Sequence, residues 1–132
     1  MSEENFETIS TVMDAWNRGD WDEALKDVAP GFEVDNSSNI GEWRGVHRGR
    51  DQVKQMWEEF TEPWESVRIE IDEFIDAGEH VVTRGTARFL GRDGIQTEAH
   101  QGWCWTFRDG VVTRLLVSNE LDDALEAAGL SE

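Results

Sequence analysis

The 132-residue chain reads as an α+β domain with helices packed on one face of a curved antiparallel sheet. Three observations predict it. Apolar residues recur at helical spacing in two segments, Phe6 to Trp16 and Val53 to Phe60. From Val67 onward the pattern changes to the apolar–polar alternation of strands. Gly-containing turns then divide that run into successive hairpins, the signature of a meander.

In the first helix, Phe6, Ile9, Val12, Met13 and Trp16 form one apolar stripe. Gly19 supplies the left-handed position that closes it, and Asp20 caps the next helix by accepting from a free backbone N–H. That second helix is short, with Trp21, Ala24, Leu25 and Val28 on one face and Pro30 after its end. Phe32-Glu33-Val34-Asp35 alternates as a short strand, and the polar, Gly-rich stretch from Asn36 to Gly49 reads as a surface loop. A third helix starts at about Arg50, presents Val53, Met56, Trp57 and Phe60, and stops before Pro63.

Val67, Ile69 and Ile71 alternate with Arg68, Glu70 and Asp72 in the first strand of the meander. After a turn at Asp76-Ala77-Gly78-Glu79, the spacing predicts strands over His80–Leu90, Ile95–Phe107 and Val111–Asn119. Gly91-Arg92-Asp93-Gly94 and Arg108-Asp109-Gly110 connect them. Asn119 reads as the cap of a terminal helix, Leu121–Ala128, closed by Gly129. One domain covers 1–132, without repeats or linkers.

Composition narrows the partners. The formal net charge is -17, from 29 acidic against 12 basic residues. Such a field repels phosphate backbones and anionic lipid, so neither nucleic acid nor a membrane surface is expected as a partner. No apolar run approaches the roughly 20 residues of a membrane span. The acidic N-terminus carries no signal-peptide pattern, and the lone Cys104 excludes an internal disulfide; together these suggest a cytoplasmic protein. Lysine occurs only at Lys26 and Lys54. This acidic, Lys-poor balance predicts adaptation to high salt, the alternative being an acidic protein from an Arg-preferring genome. The three histidines lack metal-ligand spacing and no glycine pattern cradles a phosphate, so no metal or cofactor is expected. With seven Trp and no Tyr, any mechanism needing a phenol hydroxyl is excluded.

A series of motifs then points to a family. Trp16-Asn17-Arg18-Gly19-Asp20, Pro30, His47-Arg48-Gly49-Arg50-Asp51-Gln52-Val53, Trp105-Thr106-Phe107-Arg108-Asp109-Gly110 and the tail Asp122 to Leu130 follow one another along almost the whole chain. In this the sequence resembles the SnoaL-like branch of the nuclear transport factor 2 / ketosteroid isomerase-like superfamily. The resemblance implies a cone: three helices of the N-terminal half on a curved antiparallel sheet, a short C-terminal helix, a cavity between sheet and helices, and a homodimer.

Strand alternation indicates what would line that cavity. Val81, Thr83, Gly85, Ala87 and Phe89 share one parity, and Ala99, Gln101, Trp103, Trp105 and Phe107 share another. With Trp16, Trp43 and Trp57 they make an aromatic enclosure, and His47 lies in the loop at its mouth. The expected ligand-binding set is therefore Trp16, Trp43, His47, Trp57, Gln101, Trp103 and Trp105, and the expected ligand a small hydrophobic molecule. Leu115 and Val117 are read as outward-facing, in support of the dimer. His100 and Cys104 are placed on the outer sheet face.

Asp35 is the candidate catalytic residue, since the resemblance puts it near the isomerases' proton-shuttling carboxylate. Apolar surroundings favour such a base near neutrality. The same resemblance places the isomerases' oxyanion-hole tyrosine at Val12 and their protonated aspartate at Trp103, so steroid isomerisation lacks its stabilising donors. The Asp-Arg-Asp arrangement of limonene-epoxide-hydrolase-like members is missing, with Arg84 at an outward parity. Two functions follow: ligand binding, with proton transfer (isomerisation, cyclisation or dehydration) through Asp35, or a non-catalytic dimeric interaction module whose cavity is filled.

Overall fold

The computed structural model describes residues 2–36 and 45–118. The element order is α1 (Ser2–Asn17), α2 (Trp21–Leu25), β1 (Glu33–Asp35), β2 (Val46–Arg48), α3 (Arg50–Thr61), β3 (Trp64–Ala77), β4 (His80–Gly91), β5 (Gln96–Arg108) and β6 (Val111–Ser118). The expected terminal helix and Trp43 lie outside the described residues. The strands form one six-stranded sheet in the order β2-β1-β6-β5-β4-β3. All neighbours are antiparallel except β1 and β6, which run parallel.

The α1–α2 corner follows from its residues. Gly19 takes φ 74°, and Asp20 Oδ1 accepts from the Glu23 N–H at 3.2 Å. Asn17 then ties the corner to the sheet. Its Nδ2 donates to the Ile69 carbonyl at 2.9 Å, and its Oδ1 accepts from the Ile69 N–H at 2.8 Å. One side-chain amide thereby satisfies a backbone pair on β3, an edge strand whose free groups would otherwise invite another chain. Trp16, Trp21 and Trp57 meet at ring-centroid distances of 5.5 to 6.3 Å and join the three helices.

Two expectations are corrected. Residues 46–48, read as loop, form β2, antiparallel to β1. Three residues flanked by glycine carry too little alternation to be seen as a strand. Leu115 and Val117, read as outward, belong to the inner face: they pair with Trp105 and Trp103, which are buried in the core. The cause is a bulge in β6. Phe107 pairs with Val112 but Thr106 pairs with Arg114, so Thr113 is an extra residue and the parity reverses beyond it.

Candidate functional site

A cavity of about 350 Å³ opens between the concave sheet face and the helices. Helix α1 contributes Val12, Met13 and Trp16, and α3 contributes Met56, Trp57 and Phe60. The sheet supplies Ala99, Gln101, Trp103 and Trp105 from β5, with Ala87 and Phe89 from β4 and Val67 and Ile69 from β3. Leu115 and Val117 of β6 and the Phe32–Val34–Asn36 stretch close the other side. Ala87 and Ala99, paired across β4 and β5, contribute small side chains to this lining.

Polar groups are few. Among the described residues, no ionisable side chain lines the cavity. Its amides are Asn36, whose Nδ2 lies 3.9 Å from Met56 Sδ, and Gln101, on the same face as Trp103. The Trp105 indole donates to Thr83 Oγ1 at 3.0 Å, so this buried N–H is satisfied within the wall. Such a surface offers shape and apolar contact, with two amides as its polar groups.

Of the expected ligand-binding residues, the structure brings Trp16, Trp57, Gln101, Trp103 and Trp105 together in this lining. His47 sits on β2 opposite Val34, half-buried and outside the lining. Asp35 is likewise outside it. Alternation on β1 turns Val34 into the cavity and Glu33 and Asp35 to the outer face. There the carboxylate of Asp35, 8% exposed, pairs with Arg114 Nη2, while Arg114 Nε holds Glu33 at 3.2 Å. Asn36 was overlooked, although the alternation of Phe32 and Val34 marks the next residue on that face.

The outer face is polar and cross-braced. Arg88 pairs with Glu70 at 2.9 Å and with Glu98, and Arg84 with Glu73 at 2.8 Å. Within it Val82, Cys104, Ile75 and Leu116 form a small apolar cluster. His100 Nδ1 lies 3.3 Å from Thr86 Oγ1, as its outward parity predicts. Burial pushes the Cys104 thiol up to about 11, against an opposing pull from Arg114. Among the described residues, no group of three or more His, Cys, Asp or Glu is placed to hold a metal ion.

Comparisons with known proteins agree with this architecture. Residues 9–115 match the family model described as a SnoaL-like domain. TerC, crystallised with polyporic acid, is similar at 23% identity and TM-score 0.80, over 96% of this chain and 98% of that one. An NTF2-like protein of unknown function from Burkholderia pseudomallei K96243 shares 23% identity, with TM-score 0.77 over 93% and 95% of the two chains. A protein of ketosteroid isomerase-like fold from Catenulispora acidiphila, in complex with trimethylamine, shares 18% identity, with TM-score 0.75 over 94% and 93%. No curated protein sequence matches the chain.

Proposed function

The chain belongs to the SnoaL-like domain family, and on that premise we propose that it binds a small, uncharged hydrophobic molecule in the cavity between α1, α3 and the sheet. One observation carries this reading. The cavity is open and walled by Trp16, Trp57, Trp103 and other apolar groups, with amides in place of charges. Its volume of about 350 Å³ falls within the range of about 300–1,000 Å³ usual for ligand sites. The polyporic acid co-crystallised with TerC supports a small organic ligand and leaves its charge aside.

The enzymatic form of the reading is proton transfer with Asp35 as general base. It has less support, because that carboxylate would have to leave Arg114 and reach the opposite sheet face. The filled interaction module is opposed by the unfilled volume. A homodimer and a cytoplasmic setting belong to the same proposal, the first from the family resemblance and the second from Cys104, a free buried thiol. No helix among the described residues is long and apolar enough to cross a membrane.

Tryptophan fluorescence tests the proposal directly, since no Tyr contributes to emission. Titration with steroids, terpenoid epoxides, polyketide-like aromatics and fatty acids is expected to give a saturable change for one class. Ala99→Phe, which fills the cavity, should abolish it. Gln101→Leu should weaken it about tenfold if its amide makes one hydrogen bond to the ligand. Asp35→Asn should leave it unchanged. A response surviving Ala99→Phe would remove the cavity as the site, and loss of turnover in Asp35→Asn would restore the catalytic reading.

A further inference from the structure

The concave face continues past the cavity. Beyond Ala99 on β5 the next residue of the same parity is Thr97, and beyond Phe89 on β4 it is Gly91. Ala99 and Phe89 line the cavity, whereas Thr97 and Gly91 line an open groove with Trp64 and Ile95. Phe89 divides the two. Its ring lies 6.1 Å from Phe60 in the cavity wall and 5.0 Å from Trp64 in the groove. Helix α3 ends at Thr61, and past it Thr97 and Ile95 are exposed. Ile95 is 66% exposed, more than any other large apolar side chain among the described residues.

Trp64 reaches this face through a local irregularity. Val67 and Ile69 line the cavity, so simple alternation along β3 would turn Glu65 inward and Trp64 outward. Trp64 pairs with Gly91 but Ser66 pairs with Leu90, so Glu65 is an extra residue. This bulge returns Trp64 to the concave side, against Phe89. Bulges that re-aim one side chain are concentrated beside functional sites. The polar groups of the rim engage one another. Arg92 Nη2 donates to the Glu62 carbonyl at 2.7 Å, and Asp93 Oδ1 accepts from the Ile95 N–H at 3.1 Å. What the groove offers is apolar surface.

We propose that this groove takes an alkyl tail carried by the cavity's own ligand, which makes that ligand a compact ring with a linear hydrocarbon tail. The proposal rests on the cavity reading above. The ring lies among Trp16, Trp57 and Trp103, and the tail crosses Phe89 to rest on Trp64 and Ile95. Such a tail carries no polar group, so it needs no partner from a rim already engaged. A peptide would instead meet a hairpin whose Gly91 and Ile95 N–H groups are bonded within it.

Calorimetry of the whole chain with para-alkylphenols, from ethyl to nonyl, tests the proposal. Affinity should rise along the series, the later members gaining about twofold for each half-buried methylene. Trp64→Ala combined with Ile95→Ser should leave the ethyl member within about twofold and flatten the gain among the longest members. Ile95→Ser alone, at an exposed position, should remove part of that gain without moving the thermal midpoint. A wild-type series that levels off early, while its short members bind and lose binding in Ala99→Phe, would overturn the tail site and leave the cavity reading intact. Short members that bind wild type and Ala99→Phe equally would overturn the cavity reading, and the tail site with it. A changed sedimentation coefficient in unliganded Ile95→Ser would assign the groove to a second copy of the chain and overturn the tail site as well.

Discussion

Cys104 and Asp35 show how one strand position decides what a side chain can do. Both point to the outer sheet face, where Cys104 meets Val82 and Leu116 while Asp35 meets Arg114. The thiol is held neutral by burial, its pKa raised from 9.0 to about 11. The folded state therefore binds this proton more tightly than the unfolded chain. Its contribution is fully present below pH 9.0 and is lost as pH rises toward about 11, a loss of at most about 3 kcal/mol. Native-state thiolate absorbance should accordingly titrate well above that of the denatured protein, and a disulfide reagent should modify Cys104 slowly at neutral pH. Coincident native and denatured titrations would show an open thiol. Asp35 carries a different lesson. The family resemblance singled it out, yet the chain's own alternation, Phe32–Val34–Asn36, turns its neighbour into the cavity instead.

At the scale of elements, what is local was legible and what depends on partners was not. The α1–α2 corner is specified within a few residues, because Gly19 and Asp20 act on backbone groups next to them. The Trp103 and Trp105 face could likewise be read from simple alternation. The bulge at Thr113 could not, since it is a property of the β5–β6 pairing, and it reverses the assignment of Leu115 and Val117. Gly85 is similarly invisible until β3 lies beside it. A Cβ there would fall 2.0 Å from the Glu70 carbonyl oxygen, next to the register shift between Ile71 and Glu73. Gly85→Ala should therefore displace β3 and cost about 3 kcal/mol in denaturant unfolding. Gly31→Ala meets nothing within 4 Å and should stay within about 0.5 kcal/mol. Similar losses at both sites would mean that close strand approach is not the cause.

At the scale of the whole molecule, charge dominates. Six basic residues (Lys26, Arg48, Lys54, Arg84, Arg88 and Arg114) are already engaged with carboxylates, so most of the acidic excess faces water uncompensated. Salt that screens this repulsion should raise the thermal midpoint steeply between about 0.1 M and about 2 M KCl, as the Debye length shrinks from about 10 Å to below about 3 Å. A flat profile would assign the acidity to genome composition instead. The parallel pairing of β1 with β6 has a consequence in time. Glu33 meets Arg114 and Val34 meets Leu115, so the sheet closes only after nearly the whole described chain has been synthesised. A nascent chain ending before Val111 holds both cavity helices and most of the sheet but lacks a wall. Any molecule that recognises the finished cavity then has nothing to grip until that last strand docks. It would slow the unfolding of the completed protein without hastening its folding.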